Sequence, residues 1–121
     1  MKTFRQALGR WGEDLAADYL IQKNYEIVER NVHTAYGEID LVARQGCIAV
    51  FVEVKTRTSN RFGYPEDAIT PSKQAHLIAA AQSYLMDHAE LDGDWRVDVI
   101  AIQRLRSGQP PKIDHFENAI R

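Results

Sequence analysis

Three ionisable residues interrupt strands otherwise built for burial. Asp40 stands in Ile39-Asp40-Leu41-Val42-Ala43, and Glu53 and Lys55 stand in Val50-Phe51-Val52-Glu53-Val54-Lys55. Charges on such strands cost several kcal/mol unless something compensates them, and a divalent cation with a phosphate would do so. Strand residues alternate faces, so Glu53 and Lys55 project on the same side. With Gln45-Gly46 as a two-residue turn, Asp40 lies opposite Phe51 and Glu38 opposite Glu53. Asp40 is then the diagonal neighbour of Glu53, with Cβ atoms roughly 7–8 Å apart. Two carboxylates at that spacing can reach one hard cation, which takes oxygen ligands at about 2.0–2.1 Å in the case of Mg²⁺. Lys55 cannot be a ligand, but it can hold a phosphate oxygen or position and deprotonate an attacking water. That is the equipment for metal-assisted phosphodiester hydrolysis. A three-residue turn would instead put Asp40 and Glu53 on opposite faces.

The elements that must position these residues are legible along the chain. Phe4, Leu8, Trp11, Leu15 and Tyr19 recur at helical spacing and predict an amphipathic helix from Phe4 to Lys23, with Asn24 as its stop. Tyr25 to Asn31 reads as a first strand, and His33-Thr34-Ala35 as a connection or a continuation into the hairpin. The hairpin strands are Tyr36 to Ala43 and Cys47 to Thr56. From Arg57 to Asp67 the chain is too rich in Gly, Pro and Asn for a regular element and reads as a flap. Thr70-Pro71 starts a second helix, which reaches about His88 and buries Leu77, Ile78, Ala81, Tyr84 and Leu85. Trp95 to Ile102 is an apolar strand, expected to be central in the sheet. Lys112 to Phe116 alternates weakly, as an edge strand or a final extension. The order is α-β-β-β-α-β: an α/β domain with one sheet flanked by helices.

Composition sets the outer limits. With 121 residues, 45% hydrophobic and 26% charged, the chain is expected to form a single domain spanning 1–121 around one core. A single cysteine, Cys47, leaves no internal disulfide and makes a reducing cytoplasm the default. No run approaches the roughly 20 apolar residues of a membrane span, and the opening residues lack the apolar core of a signal peptide. A formal net charge of −2 with a pI near 6.1 argues against coating nucleic acid by bulk charge. It leaves room for a basic rim around an acidic site.

Gly37-Glu38-Ile39-Asp40-Leu41-Val42, followed by Glu53-Val54-Lys55, resembles the Asp…Glu-x-Lys motif of the PD-(D/E)XK nuclease superfamily. The spacing and the preceding Gly-Glu-Ile are similar to archaeal Holliday-junction resolvases. From about residue 8 to 118, including Gly-Arg-Trp-Gly-Glu, Thr-Pro-Ser-Lys and Trp-Arg-Val-Asp-Val, the chain resembles the bacterial YraN-like family of small, predicted endonuclease-like proteins. The resemblance implies a restriction-endonuclease-like core and Mg²⁺- or Mn²⁺-dependent cleavage of DNA, branched or junction DNA included. It implies Asp40 and Glu53 as metal ligands with the Val54 carbonyl as a third oxygen, and Lys55 as the catalytic lysine. Glu13 is added as an acidic residue of the site. The helical wheel pulls the other way, placing Glu13 opposite the Phe4–Leu15 stripe but beside Gly9, Ala16 and Leu20. Resolvase-like nucleases often act as dimers, so a homodimer is a further implication.

Other residues carry weaker signals. Glu38 reads as a strand-end charge or an accessory acid. Gln74, next to Lys73, falls where the superfamily often sets a polar residue over the site. Arg57 and the flap residues Arg61, Phe62 and Tyr64 mix charge and aromatics as nucleic-acid contacts do. Asp98 interrupts an apolar strand and needs a partner. Arg104, Arg106 and Lys112 form a modest basic group. His33, His76, His88 and His115 show no metal-ligand spacing, and Trp11 and Trp95 read as core anchors. The competing expectation is a nuclease-fold protein that binds nucleic acid or a protein partner without cutting. A plain interaction domain with a structural Asp-Glu-Lys cluster is the third.

Overall fold

The computed structural model describes residues 3–58 and 69–120. Within them the chain forms α1 (Phe4–Gln22), β1 (Glu26–Thr34), β2 (Gly37–Gln45), β3 (Ile48–Arg57), α2 (Pro71–Met86), β4 (Trp95–Gln103) and β5 (Lys112–Ile120). A short 3-10 turn, Ala89–Leu91, precedes β4. The strands lie side by side in chain order, β1-β2-β3-β4-β5. All neighbours are antiparallel except β3 and β4, which are parallel and joined through α2. The result is a mixed five-stranded sheet with a helix on each face.

Local chemistry sets the element ends. Thr3 and Gln6 form a capping box at the start of α1. Asn24, in the left-handed region at φ 69°, ends that helix, as a residue just past the last turn often does. Thr70 caps α2 by accepting from the Lys73 amide at 3.2 Å, with Pro71 in the first turn. β5 runs to Ile120 and pairs with β4 throughout most of its length, so the weakly alternating tail is a full strand. β4 is interior but fourth in order; the middle strand is β3.

One layer packs α2 against Val42, Ala49, Phe51, Val97 and Val99, using Leu77, Ala80, Ala81 and Tyr84. The other packs α1 against Leu41, Ala43, Val50, Val52, Ile100 and Ile102. Here the helical-wheel expectation is corrected. The buried residues of α1 are Gly12, Ala16, Ala17 and Leu20, while Phe4 is exposed and Trp11, Leu15 and Tyr19 are only partly covered. Small residues win the sheet-facing side because the helix lies very close to β3: a Cβ on Gly12 would stand 2.0 Å from Thr56 Oγ1. Bulky residues cannot occupy such an approach, so size overrides hydrophobicity.

The β2–β3 turn is also corrected. It is formed by Gly46-Cys47, not Gln45-Gly46, with Gln45 paired to Ile48 and Gly46 left-handed at φ 61°. Moving a two-residue turn by one position shifts every cross-strand partner by two, which preserves faces. Asp40 therefore stays on the Glu53 side, but it lines up with Glu53 itself. Glu38 loses that place.

Candidate functional site

The last β2–β3 pair is Leu41 with Val52, and one further step in the same register brings Asp40 level with Glu53. Asp40 is a gap in both ladders: the β1–β2 pairing passes from Arg30–Leu41 to Val32–Ile39 without it. Asn31, which would face it, is left-handed at φ 53°. The Asp40 carboxylate occupies the space so opened and accepts a hydrogen bond from the Val54 amide at 2.8 Å. Val54 thus enters the site through its N–H.

Glu53 is buried, at 6% exposure. Its Oε1 receives two ammonium groups, Lys73 Nζ at 3.0 Å and Lys55 Nζ at 3.4 Å. Lys55 is largely enclosed, while the Lys73 side chain is about half exposed. Burial, then the charge of Glu53, pushes the Asp40 pKa up to about 7; Glu13 raises it further, and the Val54 amide and Lys73 oppose the rise. Burial also holds the Lys55 pKa below its ordinary value, with Lys73 adding to the effect and Glu53 opposing it. Two carboxylates and two ammonium groups are therefore crowded at the end of the middle strand.

Glu13 joins them from α1. Its charge reaches Asp40, and its Oε1 is buried without a hydrogen-bond partner among the described residues. Burial raises its pKa against the pull of Arg30 and Arg10. An unsatisfied buried carboxylate oxygen beside a second raised carboxyl is a costly arrangement, and costly arrangements concentrate at functional sites.

The remaining candidates divide sharply. Glu38 is exposed and paired with His33 at 3.2 Å, away from Glu53. Gln74 turns back to the Ile69 carbonyl at 3.2 Å, and its neighbour Lys73 stands over the site where the resemblance suggested Gln74. Helical position three rather than four faces the sheet here, a difference of about 100° that the Thr70 cap fixes. Arg57 donates to the Thr56 carbonyl at 3.1 Å. Arg61 and the flap from 59 to 67 lie outside the described residues. Asp98, fully buried, faces the α1 layer and belongs to a separate network with Arg96, His115 and the Asn118 amide.

A cation would suit this donor set chemically: Asp40, Glu53 and Glu13 are hard oxygen donors, and one carboxylate oxygen has no partner. As the side chains stand, no three His, Cys, Asp or Glu among the described residues are grouped closely enough to hold a metal. Lys73 and Lys55 supply the positive charge instead.

Fold and site together define a small α/β protein with an acidic–basic centre at the end of the middle strand of a mixed sheet. The chain belongs to the uncharacterised protein family UPF0102, which it matches over residues 12–102. A UPF0102 protein of Syntrophomonas wolfei is 50% identical over 112 residues, covering 93% of this chain and 96% of the relative. One from Geobacter metallireducens is 47% identical over 119 residues, covering 98% and 96%. Another from Rhodococcus jostii is 45% identical over 113 residues, covering 93% and 95%. The likeness to the YraN-like family therefore extends over nearly the whole chain. No helix among the described residues is long and apolar enough to cross a membrane.

Proposed function

We propose that this protein is a divalent-cation-dependent nuclease of restriction-endonuclease-like fold that hydrolyses DNA phosphodiester bonds, those of branched or junction DNA included. The observation that carries this is the alignment of Asp40 with Glu53, two carboxylates whose charges oppose each other, with Lys55 on the same strand. The α-β-β-β-α-β-β order and the parallel β3–β4 pair are consistent with that fold.

Asp40 and Glu53 would hold Mg²⁺ or Mn²⁺, with Glu13 and the Val54 carbonyl as further oxygens. Bound there, the ion would polarise a phosphoryl oxygen and lower the pKa of water. Val54 N–H fixes the Asp40 carboxylate in orientation. Lys55, enclosed and held below its ordinary pKa by burial, can position the attacking water through Nζ. Glu53 anchors Lys55 at 3.4 Å.

A second reading, a nuclease-fold protein that binds nucleic acid without cutting, draws support from the lysine pairs that occupy Glu53 and from the lack of a ready metal cluster among the described residues. Purified protein incubated with junction, flap, duplex and single-stranded DNA in Mn²⁺ separates the two. Cleavage lost in Asp40→Asn, Glu53→Gln and Lys55→Ala supports the nuclease. Binding without cleavage by the native protein supports the second reading, and cleavage that persists in Lys55→Ala removes the catalytic assignment.

A further inference from the structure

Lys73 is the residue at this centre that the Asp…Glu-x-Lys pattern leaves unexplained. It is the third residue of α2, and its ammonium reaches across to Glu53 Oε1 at 3.0 Å, closer than Lys55 on the same strand as Glu53. Two ammonium groups on one buried carboxylate oxygen repel each other. The arrangement is tolerable because Glu53, Asp40 and Glu13 concentrate negative charge there.

Lys73 differs from Lys55 in having somewhere else to go. Its side chain is 44% exposed, against 13% for Lys55. It also lines a groove of about 360 Å³ between α2 and the β1–β2 hairpin, together with Tyr36, Glu38, Thr70, Ser72 and His76. A lysine on a flexible stem can turn from Glu53 into that groove while Lys55 stays paired with the carboxylate. Lys55, packed on the strand, has no comparable exit.

We propose that Lys73 is a displaceable counter-charge: it neutralises Glu53 in the metal-free protein, yields that carboxylate to an incoming divalent cation, and then meets a backbone phosphate of the nucleic acid in the groove. This rests on the nuclease reading of the same centre. Charge balance supports the exchange, since a dication replaces a monocation among carboxylates and the groove open to the released ammonium is lined by Thr70 and Ser72. The groove then acquires its cation only when the centre is loaded, so metal binding and substrate binding reinforce each other.

Thermal shift against Mn²⁺ concentration tests the competition without relying on activity. Lys73→Gln should lower the Mn²⁺ midpoint about tenfold, as removal of a competing charge at contact distance from a largely buried carboxylate implies. Lys73→Arg, which keeps the charge, should stay near wild type. An unchanged or higher midpoint in Lys73→Gln overturns the proposal while leaving the metal site intact. No Mn²⁺ response in either wild type or Lys73→Gln overturns the metal reading itself. For the phosphate contact, a fluorescein-labelled DNA duplex is titrated with Ca²⁺ present: Lys73→Gln should bind several-fold more weakly than wild type. Equal binding overturns that half.

Discussion

The Asp40 carboxylate takes the hydrogen bond from the Val54 amide that a backbone carbonyl of β2 would accept in an unbroken ladder. This contact sits beside the point where β1 and β2 also skip a pair, opposite left-handed Asn31. A side chain has been substituted for main chain, so Asp40 is held by the fold itself. Its charge, however, is held against burial and against Glu53.

The pH dependence follows. Below pH 3.8 the Asp40 carboxyl is neutral in both folded and unfolded chains; between 3.8 and about 7 the unfolded chain ionises while the folded one keeps its proton. Asp40 therefore removes stability as pH rises through that window, by about 2–4 kcal/mol at completion. Asp40→Asn retains an acceptor for Val54 and cannot ionise. The difference in melting temperature between variant and wild type should grow from pH 4 to 7 and level off above. A constant difference across that range would contradict the raised pKa.

Glu13 offers a second test of cost against use. Its buried Oε1 lacks a partner among the described residues, and its pKa is raised by burial. Glu13→Leu should stabilise the metal-free protein by about 1 kcal/mol at pH 7.5, since an unmatched polar atom gives way to an apolar one. The same change should weaken the Mn²⁺-induced rise in melting temperature. Loss of stability with an intact Mn²⁺ response would make Glu13 an ordinary structural acid.

The contact between Gly12 and Thr56 links the helix carrying Glu13 to the strand carrying Glu53 and Lys55. Gly12→Ala places a methyl 2.0 Å from Thr56 Oγ1, so the helix must lift or the threonine must rotate. Overpacking of this kind costs about 1–3 kcal/mol. Urea unfolding should show that loss, and Thr56→Ala in the same chain should recover part of it. Full stability of Gly12→Ala alone would mean the approach is looser than the structure has it.

The sequence carried the element order because β-branched runs, Thr70-Pro71 and Asn24 are local signals. It carried the parity of Asp40 and Glu53 for a deeper reason: a misplaced two-residue turn alters partners but not faces. It did not reveal which side of α1 is buried. Hydrophobic periodicity selects Phe4, Leu8 and Trp11, whereas the sheet selects the small residues Gly12 and Ala16. For that reason the wheel leaves Glu13 open, opposite the apolar stripe but beside Ala16 and Leu20. Nor does the sequence alone separate Lys73 from Gln74, because which residue of a first turn faces a sheet depends on how the helix docks, which no pattern within the helix records.

Asp98 supplies the contrast that separates architecture from site. It is fully buried, yet it receives Arg96 Nε at 3.0 Å, His115 Nε2 at 2.7 Å and the Asn118 amide at 2.9 Å. Arg96 in turn donates to the Tyr25 hydroxyl at 2.7 Å, and Tyr19 lies 3.2 Å from His115 Nδ1. Burial works against the Asp98 charge, but the hydrogen bonds from His115, Arg96 and Asn118 outweigh it and hold the carboxyl below its ordinary range. Its contribution is thus present above the unfolded value of 3.8 and is lost as pH falls through the lower folded value. Asp98→Ala takes the shared acceptor from the mostly covered Arg96 guanidinium, the His115 ring and the Asn118 amide, and should cost about 3–5 kcal/mol at neutral pH. Asp98→Asn should cost less and should flatten the acid limb of the stability curve below pH 4. Because the Asp98 network of Arg96, His115 and Asn118 shares no residue with Asp40, Glu53, Lys55 or Glu13, the Mn²⁺ midpoint of Asp98→Asn should match wild type. A shifted midpoint would show that the two networks are coupled, and Asp98 would then belong to the site.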